Sequence, residues 1–191
     1  MSDLRFYAAC LASYNAGTLH GAWIDASDDV DAMAADIATM LLASPFPNVT
    51  VEHPETGESV PSAEEFAIHD YDGIPSSLGE YPSLQSIADY VELIEAAEER
   101  GLESDVVAAV VSHFCGDVAE AKDAIEDKYH GAFDSLTDYA ADYVESADML
   151  HGVPDTIARY FDFESFGRDL ELGGDIYTIR VDGTLHVFSG H

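Results

Sequence analysis

Residues 133–148 read FDSLTDYAADYVESAD, and this stretch can fold in few ways. On a helix advancing about 100° per residue from Asp134, Asp138 falls near 40°, Asp142 near 80°, Glu145 near 20° and Asp148 near −40°. Five carboxylates thus share one side, with no Lys or Arg among them. Leu136, Tyr139, Ala140, Tyr143, Val144 and Ala147 take the opposite side. Like charges four residues apart cost a helix roughly 0.2–0.5 kcal/mol per pair. Such a helix needs tertiary packing on its apolar side, and its acids must then face water or a partner.

The pattern extends beyond one helix. The chain of 191 residues carries 38 acids against 7 bases, a formal net charge of −31. A hydrophobic content of 47% nevertheless supplies a core and argues against general disorder. A field of this sign repels nucleic acid, anionic membranes and acidic substrates, and attracts basic protein surfaces. No direct nucleic-acid or membrane binding is therefore expected. The N-terminal MSDLRFYAACLASYNAG lacks a basic segment followed by a long apolar one, and no apolar run reaches the ~20 residues of a membrane span. A soluble cytoplasmic protein is the default.

The remaining segments point to an α+β fold. LRFYAACLAS reads as a buried strand, YNAG as a turn and TLHGAWIDA as a returning strand. Val30, Met33, Ile37, Met40 and Leu41 lie at helical spacing in a helix that Ser27 can cap. Strand-like pieces broken by Pro and Gly follow. From Pro82 the pattern is helical: Leu84, Ile87, Val91 and Ile94 face inward, while Glu92, Glu95, Glu98 and Glu99 face out, with Gly101 as the stop. SDVVAAVVSHFCG reads as a buried helix, and DVAEAKDAIEDKYHG and FDSLTDYAADYVESAD as two amphipathic ones. Asp182-Gly183 between alternating runs predicts a closing hairpin. These divisions give an N-terminal strand/helix domain (1–74), a helical middle domain (75–115) and a C-terminal domain of helices and a hairpin (116–191).

Catalytic and metal motifs are missing from the sequence. It holds no GxGxxG after a strand, no P-loop and no GxSxG. Its eight histidines (20, 53, 69, 113, 130, 151, 186 and 191) show no HxH, HxxxH or HExxH spacing. Asp70-Tyr71-Asp72-Gly73 lacks the other ligands of a twelve-residue calcium loop and reads as a turn. Cys10 and Cys115 read as small core residues. No enzyme activity, cofactor or metal is expected.

Geometry makes the acids informative. Acids three or four residues apart on a helix are ~4.5–6 Å apart along its axis. Duplex DNA presents one charge per ~1.7 Å of axis, or ~3.4 Å on each strand. One stripe is sparser than a duplex, but several acid-faced helices side by side approximate two rows of phosphates. Asp117, Glu120, Asp123 and Asp127 offer a second stripe, interrupted by Lys122 and Lys128, and Glu92, Glu95, Glu98 and Glu99 a third patch. An ordinary solvated face, or an acidic surface adapted to high salt with an unrelated binding role, gives the same composition.

Specific runs carry a family resemblance. YAACLASYNAGTLHGAWIDA (7–26), EEFAIHDYDGI (64–74), LGEYPSLQSIADY (78–90), EAKDAIEDKYHGAFDSLTDYAADYVE (120–145), YFDFESFGRDLELGGDIYTI (160–179) and HVF (186–188) occur in order along the chain. The sequence resembles the ArdA family of antirestriction proteins through these runs. The resemblance implies an elongated, acidic, dimeric DNA mimic whose protomer has three small domains. Its carboxylates would imitate the phosphates of bent B-form DNA and fill the DNA-binding groove of type I restriction-modification enzymes, protecting mobile DNA. Asp134, Asp138, Asp142, Glu145 and Asp148 would belong to that surface. The YFDFESFGRDL run resembles the family's dimerisation motif, which makes Tyr160, Phe161, Phe163 and Phe166 interface candidates; an ordinary helix–hairpin core is the alternative. The first run, with Tyr14, Asn15, Gly17, Gly21 and Trp23, is expected to specify the N-terminal fold. A DNA mimic directed at another basic DNA-binding protein is the competing function.

Overall fold

The computed structural model describes residues 4–190; His191 and the first three residues of the stretch tested for a leader lie outside them. In chain order the elements are β1 (Arg5–Cys10), α1 (Leu11–Asn15), β2 (Gly21–Asp25), α2 (Val30–Leu42), β3 (Val49–Glu52), β4 (Ser59–Ser62) and β5 (Phe66–Asp72). A 3₁₀ turn (Ser76–Leu78) leads to α3 (Leu84–Glu99), α4 (Ser104–His113) and α5 (Val118–Asp123). A π-helical turn (Ala124–Lys128), β6 (Tyr129–Phe133), α6 (Leu136–Ser146), α7 (Asp155–Ala158), α8 (Phe163–Gly173), β7 (Ile176–Val181) and β8 (Thr184–Ser189) complete the chain. The fold is α+β, with small antiparallel sheets among the helices. It divides into two compact units, residues 1–119 and 120–191.

In the first unit β1 is the centre of a sheet ordered β2-β1-β5. Phe6, Ala8, Cys10 and Ile24 are buried, and α2 packs on β1 and β2 with Met33, Ile37, Met40 and Leu41 inward. Between β1 and β2 the chain makes the short helix α1, so Tyr14 and Asn15 are helical and Gly17, at φ +77°, makes the reversal. The α2 cap is Asp29, whose carboxylate accepts from Ala32 N at 2.9 Å; Ser27 instead exchanges longer contacts with the Asp29 backbone, 3.3 and 3.4 Å. A two-residue shift in the helix start explains the change from the expected Ser27 cap. Cys10 is buried, with Sγ 3.3 Å from Ser44 Oγ, but Cys115 is exposed. Helix α4 ends at His113, and Cys115 turns the chain at φ +55°, which takes its side chain off the buried face.

The second unit is built on a sheet ordered β6-β8-β7. Asp182 and Gly183, at φ +47° and +89°, form the two-residue turn between β7 and β8, as a type I′ hairpin requires. The stretch expected to be one helix through His130-Gly131 instead leaves the helix at Lys128 and enters β6. Tyr129 pairs with Phe188 and Phe133 with Leu185, with a register shift absorbed between Tyr129 and Gly131, where the glycine sits at φ +134°. Tyr139 of α6 packs with Ile176, Leu185 and Val187 in the core, joined by Phe133, Leu136 and Leu170.

Candidate functional site

All thirteen acids singled out from the sequence are exposed: Glu92, Glu95, Glu98, Glu99, Asp117, Glu120, Asp123, Asp127, Asp134, Asp138, Asp142, Glu145 and Asp148. The first five lie in the first unit and the other eight in the second.

Helix α3 carries the first group. Its Ser83 cap accepts from Ser86 N at 3.0 Å, and its opposite side buries Ile87, Ala88, Tyr90, Val91, Leu93, Ile94 and Ala97. The helix stops through Gly101 at φ +78°, with Gly101 N donating to Glu98 O (2.9 Å) and Leu102 N to Ala97 O (3.0 Å). Those paired bonds form a Schellman cap, closed by the buried Leu102. Burial, and secondarily Asp105, pushes the Tyr90 hydroxyl above its ordinary range.

Helix α6 carries the densest acids, but it is shorter than the periodicity predicts. Ser135 caps it, accepting from Asp138 N (3.2 Å) and donating to Asp138 Oδ2 (2.6 Å). Asp138, Asp142 and Glu145 lie within the helix, Asp134 precedes the cap, and Asp148 follows the C-cap Ala147. Asp148 takes φ +50° and closes a second Schellman cap, with Asp148 N on Glu145 O and Met149 N on Val144 O, both 3.0 Å. It also pairs with His151 Nδ1 at 3.1 Å. Among the described residues, Asp138, Asp142 and Glu145 have no Lys or Arg at ion-pair distance.

The inner side of α6 buries only Tyr139, Ala140 and Val144. Close helix crossing compensates. A Cβ at Gly167 of α8 would lie 2.8 Å from Leu136 O and 3.2 Å from Ala140 Cβ, so glycine permits near-backbone contact there. The Tyr139 hydroxyl lies 2.8 Å from His130 Nδ1, whose Nε2 is 2.8 Å from Ser189 Oγ, tying α6 through β6 to β8. Burial first, then Tyr143 and Asp142, pushes the Tyr139 hydroxyl up to about 12.

The aromatic candidates separate into two kinds. Phe161 meets Phe163 at 4.9 Å and Phe166 at 5.5 Å between ring centroids, while Phe166 lies 6.3 Å from Tyr143. These three rings are half-buried within the unit, whereas Tyr160 is 81% exposed. Ile157 and Leu172 of the same unit are also exposed. Asp162 caps α8, and hydrogen bonds from the backbone and hydroxyl of Ser165 hold its carboxyl below the ordinary carboxylate range.

The N-terminal run has both structural and surface members. A Cβ at Gly21 would lie 2.8 Å from the Tyr7 ring, so that glycine is needed for packing. Tyr14 and Trp23, however, are exposed. Alternation puts Arg5 and Tyr7 on one side of β1 and Trp23 and Asp25 on one side of β2, and the pairing register joins the four on one outer face. Among the described residues no group of three His, Cys, Asp or Glu is arranged to hold a metal ion, and no helix is long and apolar enough to cross a membrane.

The family model for ArdA antirestriction proteins matches residues 6–183. The chain therefore belongs to the ArdA antirestriction family, and its function is antirestriction. No curated protein matches it.

Proposed function

We propose that this antirestriction protein acts as a mimic of B-form DNA, filling the DNA-binding groove of a type I restriction-modification enzyme in the cytoplasm. The observation that carries the proposal is the pairing of unneutralised outer carboxylates with buried inner faces on α3 and α6. Within each unit, folding fixes which way the acids of that helix point, so lysines and arginines of the groove meet an ordered anionic face on each. The groove's cations exchange phosphate for carboxylate, and no base edges are presented, so inhibition is broad rather than sequence-specific. A chain this acidic does not itself bind nucleic acid.

The working unit is a homodimer of protomers with three small domains (1–74, 75–115 and 116–191). Tyr160 is the foremost contact of the dimer, with Phe161, Phe163 and Phe166 shaping the surface beneath it; its exposure supports that role. Titration of the protein into a type I enzyme–DNA complex at low salt tests the mechanism. DNA is displaced, and displacement weakens as salt rises, because association is electrostatic. Retention of DNA throughout the titration at low salt contradicts groove occupation.

A further inference from the structure

We infer that the outer face of the β2-β1-β5 sheet is an additional contact surface that selects arginine over lysine side chains on a basic protein partner. It deepens the proposed groove occupation, from which it takes the basic partner. Strand register places Tyr7 opposite Trp23 and Asp70, and Arg5 opposite Asp25 and Asp72. Phe6, Ala8 and Ile24 point the other way, into the core. The outer face thus joins two aromatic rings, three carboxylates and one cation.

The face already holds one guanidinium. Arg5 lies 5.1 Å from the Trp23 ring centroid and donates from Nε and Nη2 to Asp72 Oδ2 at 3.0 and 2.7 Å. This contact shows both chemistries that recognise arginine: a π face for the planar cation and a carboxylate for its N–H groups. Of the three carboxylates, Asp72 is the one paired with Arg5. Asp25 and Asp70 are exposed without an ion pair among the described residues, and Trp23 remains 43% exposed, with Tyr7 edge-on to it at 5.6 Å. The three carboxylates exceed the one cation, so charge complementarity favours a second, incoming guanidinium. Lysine would answer the charge but not the planar stacking. The helical acid stripes discriminate less, because a carboxylate alone accepts either cation.

Trp23 is the chain's single tryptophan, so its emission reports on this face without a label. The full chain is titrated with nona-arginine and nona-lysine peptides, following emission and calorimetric affinity at one moderate salt concentration. The arginine peptide binds tighter by up to about five-fold, the full worth of an exposed cation–π contact, which lysine makes less well, and it perturbs Trp23 emission more strongly. Trp23→Leu abolishes the preference while both peptides still bind through other acids. The double variant Asp25→Asn/Asp70→Asn retains the indole and reduces the arginine-induced emission change, so it decides the matter should Trp23→Leu misfold by circular dichroism. Equal affinities with equal emission responses overturn the inference. So does a preference that survives Trp23→Leu in a folded protein. If type I enzyme displacement persists when the arginine preference is absent, only this inference falls. If the preference and its Trp23 dependence hold without displacement, the face stands and the type I target falls.

Discussion

Helices α3 and α6 present the same kind of surface on different foundations. Helix α3 turns Glu92, Glu95, Glu98 and Glu99 outward from seven buried residues, including Ile87 and Tyr90. Helix α6 turns Asp138, Asp142 and Glu145 outward from three buried residues and a crossing so close that α8 needs Gly167. The former is held by apolar area, the latter by backbone proximity and the His130–Tyr139 connection. Like-charge repulsion on a helix is therefore compatible with either support. The difference lies in how each support fails.

The largest effect belongs to α3's apolar side. Ile87→Ala, at a fully buried position, should destabilise the first unit by roughly 2–5 kcal/mol, read from chemical denaturation. Next comes the α6–α8 crossing. Gly167→Ala should cost roughly 1–3 kcal/mol by overpacking and should raise amide exchange in α6 while leaving α3 unchanged. Equal loss of protection in α3 would break the distinction between their supports.

Smaller effects come from the two helix ends. Gly101→Ala meets no atom within 4 Å, so its cost of about 1–2 kcal/mol is the left-handed backbone alone. Asp148→Gly relieves the same strain at the end of α6 and should stabilise by a few tenths of a kcal/mol, offset by greater freedom in the unfolded chain. Opposite signs in thermal denaturation support the shared cap geometry; the same sign contradicts it.

The smallest effect is the pH dependence at Asp162. Its folded carboxyl titrates below its unfolded value because the ionised form accepts from Ser165. The added stability is present above the unfolded carboxylate pKa and is lost as pH falls through the folded one. The stability difference between the wild type and Asp162→Ala should therefore shrink on acidification. A difference that grows there reverses the sign.

Much of this contrast was legible in the sequence. Ile87, Val91 and Ile94 mark the inner side of α3, Gly101 marks its end, and Asp182-Gly183 marks the hairpin. The α6 boundaries were harder because Asp134 and Asp148 fit the helical wheel as well as Asp138 does. Capping by Ser135 and the αL turn at Asp148 end the helix between them. β6 was hidden because His130-Gly131 interrupts a five-residue strand whose pairing depends on β8, more than fifty residues later. Gly167 gave no local sign of its role, since the need for glycine arises only where α6 meets α8. Tyr7 and Trp23 could be assigned to one face only once the pairing register was known.

Acid–phosphate mimicry is tested most directly by a graded neutralisation series on α6. Asp138→Asn, Asp142→Asn and Glu145→Gln, made singly and together, are measured for displacement of DNA from a type I restriction-modification enzyme at several salt concentrations, with folding checked by circular dichroism. Distributed mimicry predicts a small loss for each single variant, a larger loss for the triple variant and a shallower dependence on salt. Full displacement by the folded triple variant, or complete loss from one substitution with the fold intact, contradicts it.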